Sequence, residues 1–257
     1  MGTITLIEAI RRAGGPMALV NVTSDKCYQN HEWVWGYRES DPMGGFDPYS
    51  SSKGCAELVT SAMRNSFFPP ESWSDHKLAI ASARSGNVIG GGDWAEDRLV
   101  PDLVRAFTSG TAAAVRRPGA TRPWQHVLEP LHGYLLLAQR LLEHGPEYAE
   151  AWNFGPEQSD AREVGWVVDR ITRLWGEGAR CEIDRRAHPH EATFLKLDCS
   201  KARSRLGWQP RWDLARALEE TVGWYRAFYA GADVRELALA QITNYSTQSE
   251  SIGVVPR

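Results

Sequence analysis

Between a glycine stop and a polar loop lies the apolar run Ala18-Leu19-Val20-Asn21-Val22. A short run of this kind, without alternation of apolar and polar residues, reads as a strand buried on both faces, as in a parallel sheet covered by helices. Upstream, Ile4, Leu6, Ile7, Ala9 and Ile10, then Arg11, Arg12 and Gly14-Gly15, predict an amphipathic helix over residues 3 to 13 that glycine terminates. A helix feeding a buried strand is the second part of a βαβ crossover. The chain is therefore expected to be α/β.

The rest of the sequence continues the alternation. Strands are expected at 77 to 84, 151 to 154, 180 to 184 and 193 to 198. Helices are expected at 49 to 67, 99 to 107, 163 to 175, 200 to 206 and 213 to 230, with one more near 237 to 242 before a polar tail. Residues 129 to 143 carry Leu131, Tyr134, Leu135, Leu136, Leu137, Leu141 and Leu142 and read as a core helix. Residues 29 to 48 form a long aromatic loop, a length that points to a functional, substrate-covering segment. Arg116, Arg117 and Arg122 are expected in a loop around Pro118-Gly119.

Two stretches carry chemistry. Tyr49 and Lys53 stand four residues apart on the helix that Asp47-Pro48 opens, so both project from one face. An ammonium beside a phenol stabilises the phenolate, and such a tyrosine can take a proton from an alcohol. Ser24, at the end of the apolar strand, can hydrogen-bond the same substrate oxygen. His188-Pro189-His190-Glu191 lacks the i, i+4 helical spacing of a zinc pair, and no metal is expected.

Of the 257 residues, 42% are hydrophobic, enough for one or two domains with a real core. A net charge of −3 with dispersed basic residues argues against nucleic acid as a partner. The four cysteines show no C-x-x-C spacing, which suits reduced thiols in a cytoplasmic protein. No apolar run is long enough to span a membrane, and no signal peptide is expected.

The order strand, Ser24, loop and Y-x-x-x-K helix resembles the extended short-chain dehydrogenase/reductase superfamily. Four segments are similar to its CDP-glucose 4,6-dehydratase family: Val20 to Tyr28, Glu32 to Glu39, Arg84 to Trp94, and Arg122 to Pro130. The likeness continues through Leu206-Gly207-Trp208-Gln209-Pro210 to Trp224-Tyr225 and covers nearly the whole chain.

The resemblance implies a partial doubly wound, Rossmann-like parallel sheet with a smaller C-terminal α/β substrate-binding lobe. Residues 1–86 with 124–158 would be the remnant of a dinucleotide-binding domain, 87–123 with 159–231 the lobe, and 232–257 a C-terminal tail. It also implies NAD as cofactor, CDP-glucose as substrate, a role in deoxysugar and O-antigen synthesis, and a homodimer through helices 3–13 and 49–67. Tyr49, Lys53 and Ser24 would oxidise C4 of the sugar, with Tyr49 and Lys53 also contacting the cofactor. Asp25 would donate a proton to the departing C6 hydroxyl. Lys26 stands where related dTDP-glucose dehydratases carry Glu; it either takes the C5 proton or only orients Asp25. Asn87, Arg98, Arg117, Arg122 and His190 would bind the sugar nucleotide, with Arg122 first and Arg117 second as phosphate ligands.

No G-x-x-G-x-x-G or G-x-G-x-x-G follows a strand. Relative to the family, the chain is thus expected to begin past the first half-sheet, as an N-terminally truncated dehydratase. The alternatives are an inactive remnant that binds a sugar nucleotide or dimerises, and a sister nucleotide-sugar dehydratase or epimerase.

Overall fold

The structure is a computed structural model that describes residues 1–15, 17–186 and 192–247. In chain order these form helix α1 (Gly2–Ala13), strand β1 (Met17–Val22), α2 (Pro48–Phe67), the short α3 (Trp73–His76), β2 (Leu78–Ser85) and β3 (Asn87–Ile89). Next come α4 (Leu99–Thr108), β4 (Ala112–Val115), β5 (Thr121–His126), α5 (Leu128–His144) and β6 (Ala151–Phe154). The remainder forms β7 (Ala161–Glu163), α6 (Val164–Trp175), β8 (Arg180–Ile183), α7 (Leu214–Tyr229) and α8 (Val234–Thr247). The chain divides into two units: residues 1–86, 130–155 and 195–209, and residues 87–129, 156–194 and 210–257.

The first unit is built on a parallel sheet of order β1-β2-β6. All eight residues of β2 are buried, and the two-residue side-chain period sorts them between the faces. Leu78 and Ile80 pack with Ile7, Phe68 and Met63, on the side of α1 and α2. Ala79, Ala81 and Ala83 pack with Leu137 and Leu141 of α5 and with Trp152. Helices thus cover both faces at β2, whereas β1, expected to be buried, is the edge strand, half-buried with Val22 exposed, because no strand pairs with its other side among the described residues. Alanines on the second face let α5 come close; a Cβ on Gly133 would lie 2.3 Å from the Phe154 ring.

Helix α5 is less uniformly core than its leucines suggested. Leu137 and Leu141 are fully buried, whereas Leu131, Leu135 and Leu142 are 45%, 72% and 64% exposed. One helix covering one sheet face has room for only one apolar stripe. Leu137→Ala is accordingly expected to lower stability by about 2–5 kcal/mol, and Leu135→Ala by at most about 0.5 kcal/mol, in urea denaturation.

The loop over 29 to 48 is anchored rather than loose. Tyr28 and Tyr37 are buried and stack with ring centroids 5.1 Å apart, while Trp35 and Phe46 face solvent. The strand expected at 193 to 198 is reduced to two single bridges, Thr121↔Phe194 and Tyr37↔Leu197. Burial of Leu195, Leu197 and Cys199 mimics a strand's alternation where the backbone forms no ladder. Residues 195–209 consequently belong to the first unit, although the sequence placed them in the lobe.

In the second unit β5 pairs in parallel with β3 and antiparallel with β7, and β4 pairs with β8. Its ladder bonds carry residues 124–129, expected in the first domain, into this unit. Arg122, expected in a loop, sits in β5 and is buried. Gly91 is required by contact: a Cβ there would lie 2.1 Å from the Trp224 indole. Part of the expected tail forms α8, longer than the helix foreseen. Tyr245 of α8 donates its hydroxyl to Glu129 Oε2 at 2.7 Å, and that fully buried carboxylate also accepts from the amides of Arg211 and Trp212.

Candidate active site

Ser24 follows the carboxyl end of β1, where open parallel sheets bind their ligands. It is buried, as is Asp25, and its Oγ donates to Asp25 Oδ1 at 3.1 Å while accepting from the Lys26 amide at 3.2 Å. Those bonds fold Asp25–Cys27 into a single 3-10 turn that Ser24 caps. Lys26 is exposed.

Helix α2 starts as its sequence dictates. Asp47 accepts from the Ser50 amide at 2.9 Å and from Ser50 Oγ at 2.6 Å, and Pro48 occupies the first turn. These hydrogen bonds, with the nearby Lys26 ammonium assisting, hold the Asp47 carboxyl below its ordinary range. The cap places Tyr49 in the first helical turn, 53% exposed, with Lys53 Nζ 5.7 Å from its ring centroid. Deeper in the helix, Gly54 backs onto the Cys27 carbonyl, which a Cβ there would approach to 3.4 Å. The turn carrying Ser24, Asp25 and Lys26 is therefore packed on the helix carrying Tyr49 and Lys53.

Two hydroxyls that sequence reasoning missed lie near this turn. Ser85, at the carboxyl end of β2, shares a 2.7 Å hydrogen bond with Tyr134. Burial raises the Tyr134 phenol, with the Asp25 charge adding to the rise. Tyr134 belongs to no recognisable motif, and Ser85 lies within the Arg84 to Trp94 segment without a role having been read for it. Glu57, Arg84 and Thr23 were missed as well, although a signal existed: Glu57 repeats the four-residue spacing from Lys53, and Arg84 interrupts an apolar strand.

The expected substrate-binding residues lie in the second unit, apart from His190, which falls outside the described residues. Asn87 is half-buried on β3. Arg98 precedes α4, is largely exposed, and donates to Asp93 Oδ2 at 3.1 Å. Arg117 is exposed at φ 44°. Arg122 Nη1 donates to the Thr121 carbonyl at 2.9 Å and to the Thr193 carbonyl at 3.4 Å. Such bonds fix the plane of a guanidinium, which suits it to a bidentate anion.

Among the described residues no group of three or more His, Cys, Asp or Glu could hold a metal ion, and no helix is long and apolar enough to cross a membrane. A dinucleotide fits the first unit at its ribose end. Tyr49 and Lys53 offer an exposed hydroxyl and an ammonium on one helical face, as ribose oxygens require.

Comparison with known proteins gives concordant results. The profile of the family described as GDP-mannose 4,6 dehydratase matches residues 1–221. A CDP-glucose 4,6-dehydratase of Salmonella typhimurium is 54% identical over 245 residues, covering 95% of this chain and 68% of that protein. A dTDP-glucose 4,6-dehydratase of Streptomyces antibioticus is 28% identical over 228 residues, 88% of this chain and 62% of the relative. The crystal structure of dTDP-glucose 4,6-dehydratase from Bacillus anthracis in complex with NAD superposes with a TM-score of 0.72 at 23% identity. That match covers 88% of this chain and 66% of the other. The chain thus spans about two thirds of the length of these relatives.

Proposed function

The chain belongs to the GDP-mannose 4,6 dehydratase family, and from that premise we propose that it serves the NAD-dependent dehydration of CDP-glucose to CDP-4-keto-6-deoxyglucose. The observation that carries this reading is the 54% identity to a CDP-glucose 4,6-dehydratase along 95% of the chain, a span that includes the capped Tyr49–Lys53 helix and the Ser24 turn.

The C5 hydrogen of a hexose is not acidic until C4 becomes a ketone. NAD, when bound, supplies the acceptor that takes a hydride from C4 and returns it at C6. Tyr49 takes the C4 hydroxyl proton as general base, Lys53 stabilises the phenolate and holds the ribose, and Ser24 orients the C4 oxygen. Asp25 donates a proton to the departing C6 hydroxyl from its buried position beside Ser24. Lys26, exposed beside Asp25, orients that acid, and the C5 proton passes to solvent water.

Residues 1–86 and 130–155 act as the dinucleotide-binding part and 87–129 with 156–194 as the sugar-nucleotide part. In the latter, Asn87, Arg98, Arg117 and Arg122 bind substrate, with Arg122 on a phosphate. Exposed Ile4 and Leu6 on α1 and Leu58 and Phe67 on α2 suit a homodimer contact. The four free cysteines suit a reducing cytoplasm, and the product suits deoxysugar synthesis for surface polysaccharide.

The test is incubation with NAD and CDP-glucose, with loss of one water from the sugar nucleotide followed by mass spectrometry. Lost product without lost binding would sink the assignment. In the same assay run in deuterium oxide, Lys26→Ala is expected to keep deuterium incorporation at C5 while slowing elimination. Absence of deuterium at C5 would restore Lys26 as the base.

A further inference from the structure

A buried ion pair that none of these steps uses lies behind the Ser24 turn. Glu57, one helical turn beyond Lys53 and two beyond Tyr49, pairs with Arg84 at 2.7 Å, and each side chain is 4% exposed. Glu57 Oε1 accepts from Thr23 Oγ1, on the residue directly before Ser24, and Oε2 accepts from Ser82 Oγ at 2.6 Å. Arg84 Nη1 donates to the Tyr28 hydroxyl at 2.7 Å and to the Glu39 carbonyl at 3.1 Å. Tyr28 in turn donates to Asn153 Oδ1 of β6 at 2.7 Å. One carboxylate therefore ties α2 to the exit of β1 and to β2, and its partner extends the link to β6.

Stability alone is a poor reason for such a pair, because well-packed apolar residues in place of a buried ion pair are often neutral or stabilising. Its placement offers a better one. Asn21 of β1 and Thr23, the residue just past its end, are each held to α2: Asn21 Nδ2 donates to Thr60 Oγ1 at 2.7 Å, and Thr23 donates to Glu57. The second of these rungs is the last fixed point before the turn of Ser24, Asp25 and Lys26.

We propose that Glu57 is a positioning residue. Its carboxylate fixes the Ser24–Lys26 turn against the helix that carries Tyr49 and Lys53, with Arg84 as its counter-charge. This role rests on the reading of those five residues given above.

Hydrogen exchange on the full chain tests it without cofactor or substrate. The amides of Lys26, Cys27 and Tyr28 close the turn onto Ser24 and Asp25, and their exchange reports its order. Two variants are compared: Thr23→Val, which severs the tie and leaves the ion pair, and the paired Glu57→Leu/Arg84→Met, which removes both charges. Rates are taken relative to the amides of β2, so a global loss of stability cancels. In both variants the three turn amides are expected to exchange at least about tenfold faster than in the parent on this scale. Parent-like exchange in either variant would overturn the positioning role. Where turnover is measurable, Thr23→Val is expected to lower kcat at unchanged KM, whereas a merely structural pair would leave both. A wrong substrate or reaction would leave the exchange result standing, so the two failures are distinguishable.

Discussion

Tyr49→Phe is expected to abolish oxidation of the sugar nucleotide, with turnover falling by about 10²–10⁴-fold. Only the transferable proton and one hydrogen-bonding oxygen are lost. Tyr49 is 53% exposed in the first turn of α2, whose start is held by Asp47, Ser50 and Pro48, so neither the core nor the helix cap depends on its hydroxyl. Thermal stability and CDP-glucose affinity should match the parent. The measurement is the rise of reduced-nicotinamide absorbance on mixing with substrate, beside calorimetric titration of the sugar nucleotide. Turnover within a few-fold of the parent would remove Tyr49 from the role of base.

Arg84→Met should produce the largest loss of stability among single substitutions in the first unit, about 3–5 kcal/mol near neutral pH. The side chain of Glu57 would stay buried with its cation gone. The pH dependence should change sign at the same time. In the parent, burial pushes the Glu57 carboxyl upward, but Arg84, Ser82 and Thr23 outweigh it and hold the group below its ordinary 4.5. A depressed carboxyl contributes stability that is present above its unfolded value and lost as pH falls through the folded one. Without Arg84, burial prevails and the folded value rises above 4.5, so the penalty is present at neutral pH and disappears on acidification. The difference between variant and parent should thus narrow as the pH approaches about 4 in urea denaturation. A constant difference across that range would show that Glu57 is not the group responsible.

The fold was legible where local chemistry and burial agree. The Gly14 stop, the Asp47-Pro48 start and the apolar β1 and β2 are local signals, and each element stands where they put it. The placement of Ser24 after a strand and of Tyr49 and Lys53 on one helix was legible for the same reason, because it is set within one strand end and one helix. What was not legible depended on partners distant in sequence. Composition cannot tell which leucines of α5 meet the sheet, since Leu135 and Leu137 differ only in the direction they face. Arg122 looked like a loop residue because Pro118-Gly119 precedes it and Pro123 follows, yet β5 accommodates that proline beside β7. The alternation of Leu195, Leu197 and Cys199 had the period of a strand without a neighbour to form the ladder. Glu57 and Arg84 lie 27 residues apart, and only the folded sheet makes them a pair.

The interleaving of the two units has a consequence for how this protein is made. The chain leaves one unit for the other after residues 86, 129, 155, 194 and 209. The first unit needs Leu195, Leu197, Leu206 and Trp208 to finish its core, so it cannot close until the ribosome has released residue 209. The second unit waits longer still, because Tyr245 must arrive before Glu129 gains its last hydrogen bond. Neither half can complete its fold while the other is being synthesised, and early-made strands such as β1 and β2 stay incompletely covered for most of translation. Burial of both cores is completed late in the chain, and no single cut leaves each unit whole.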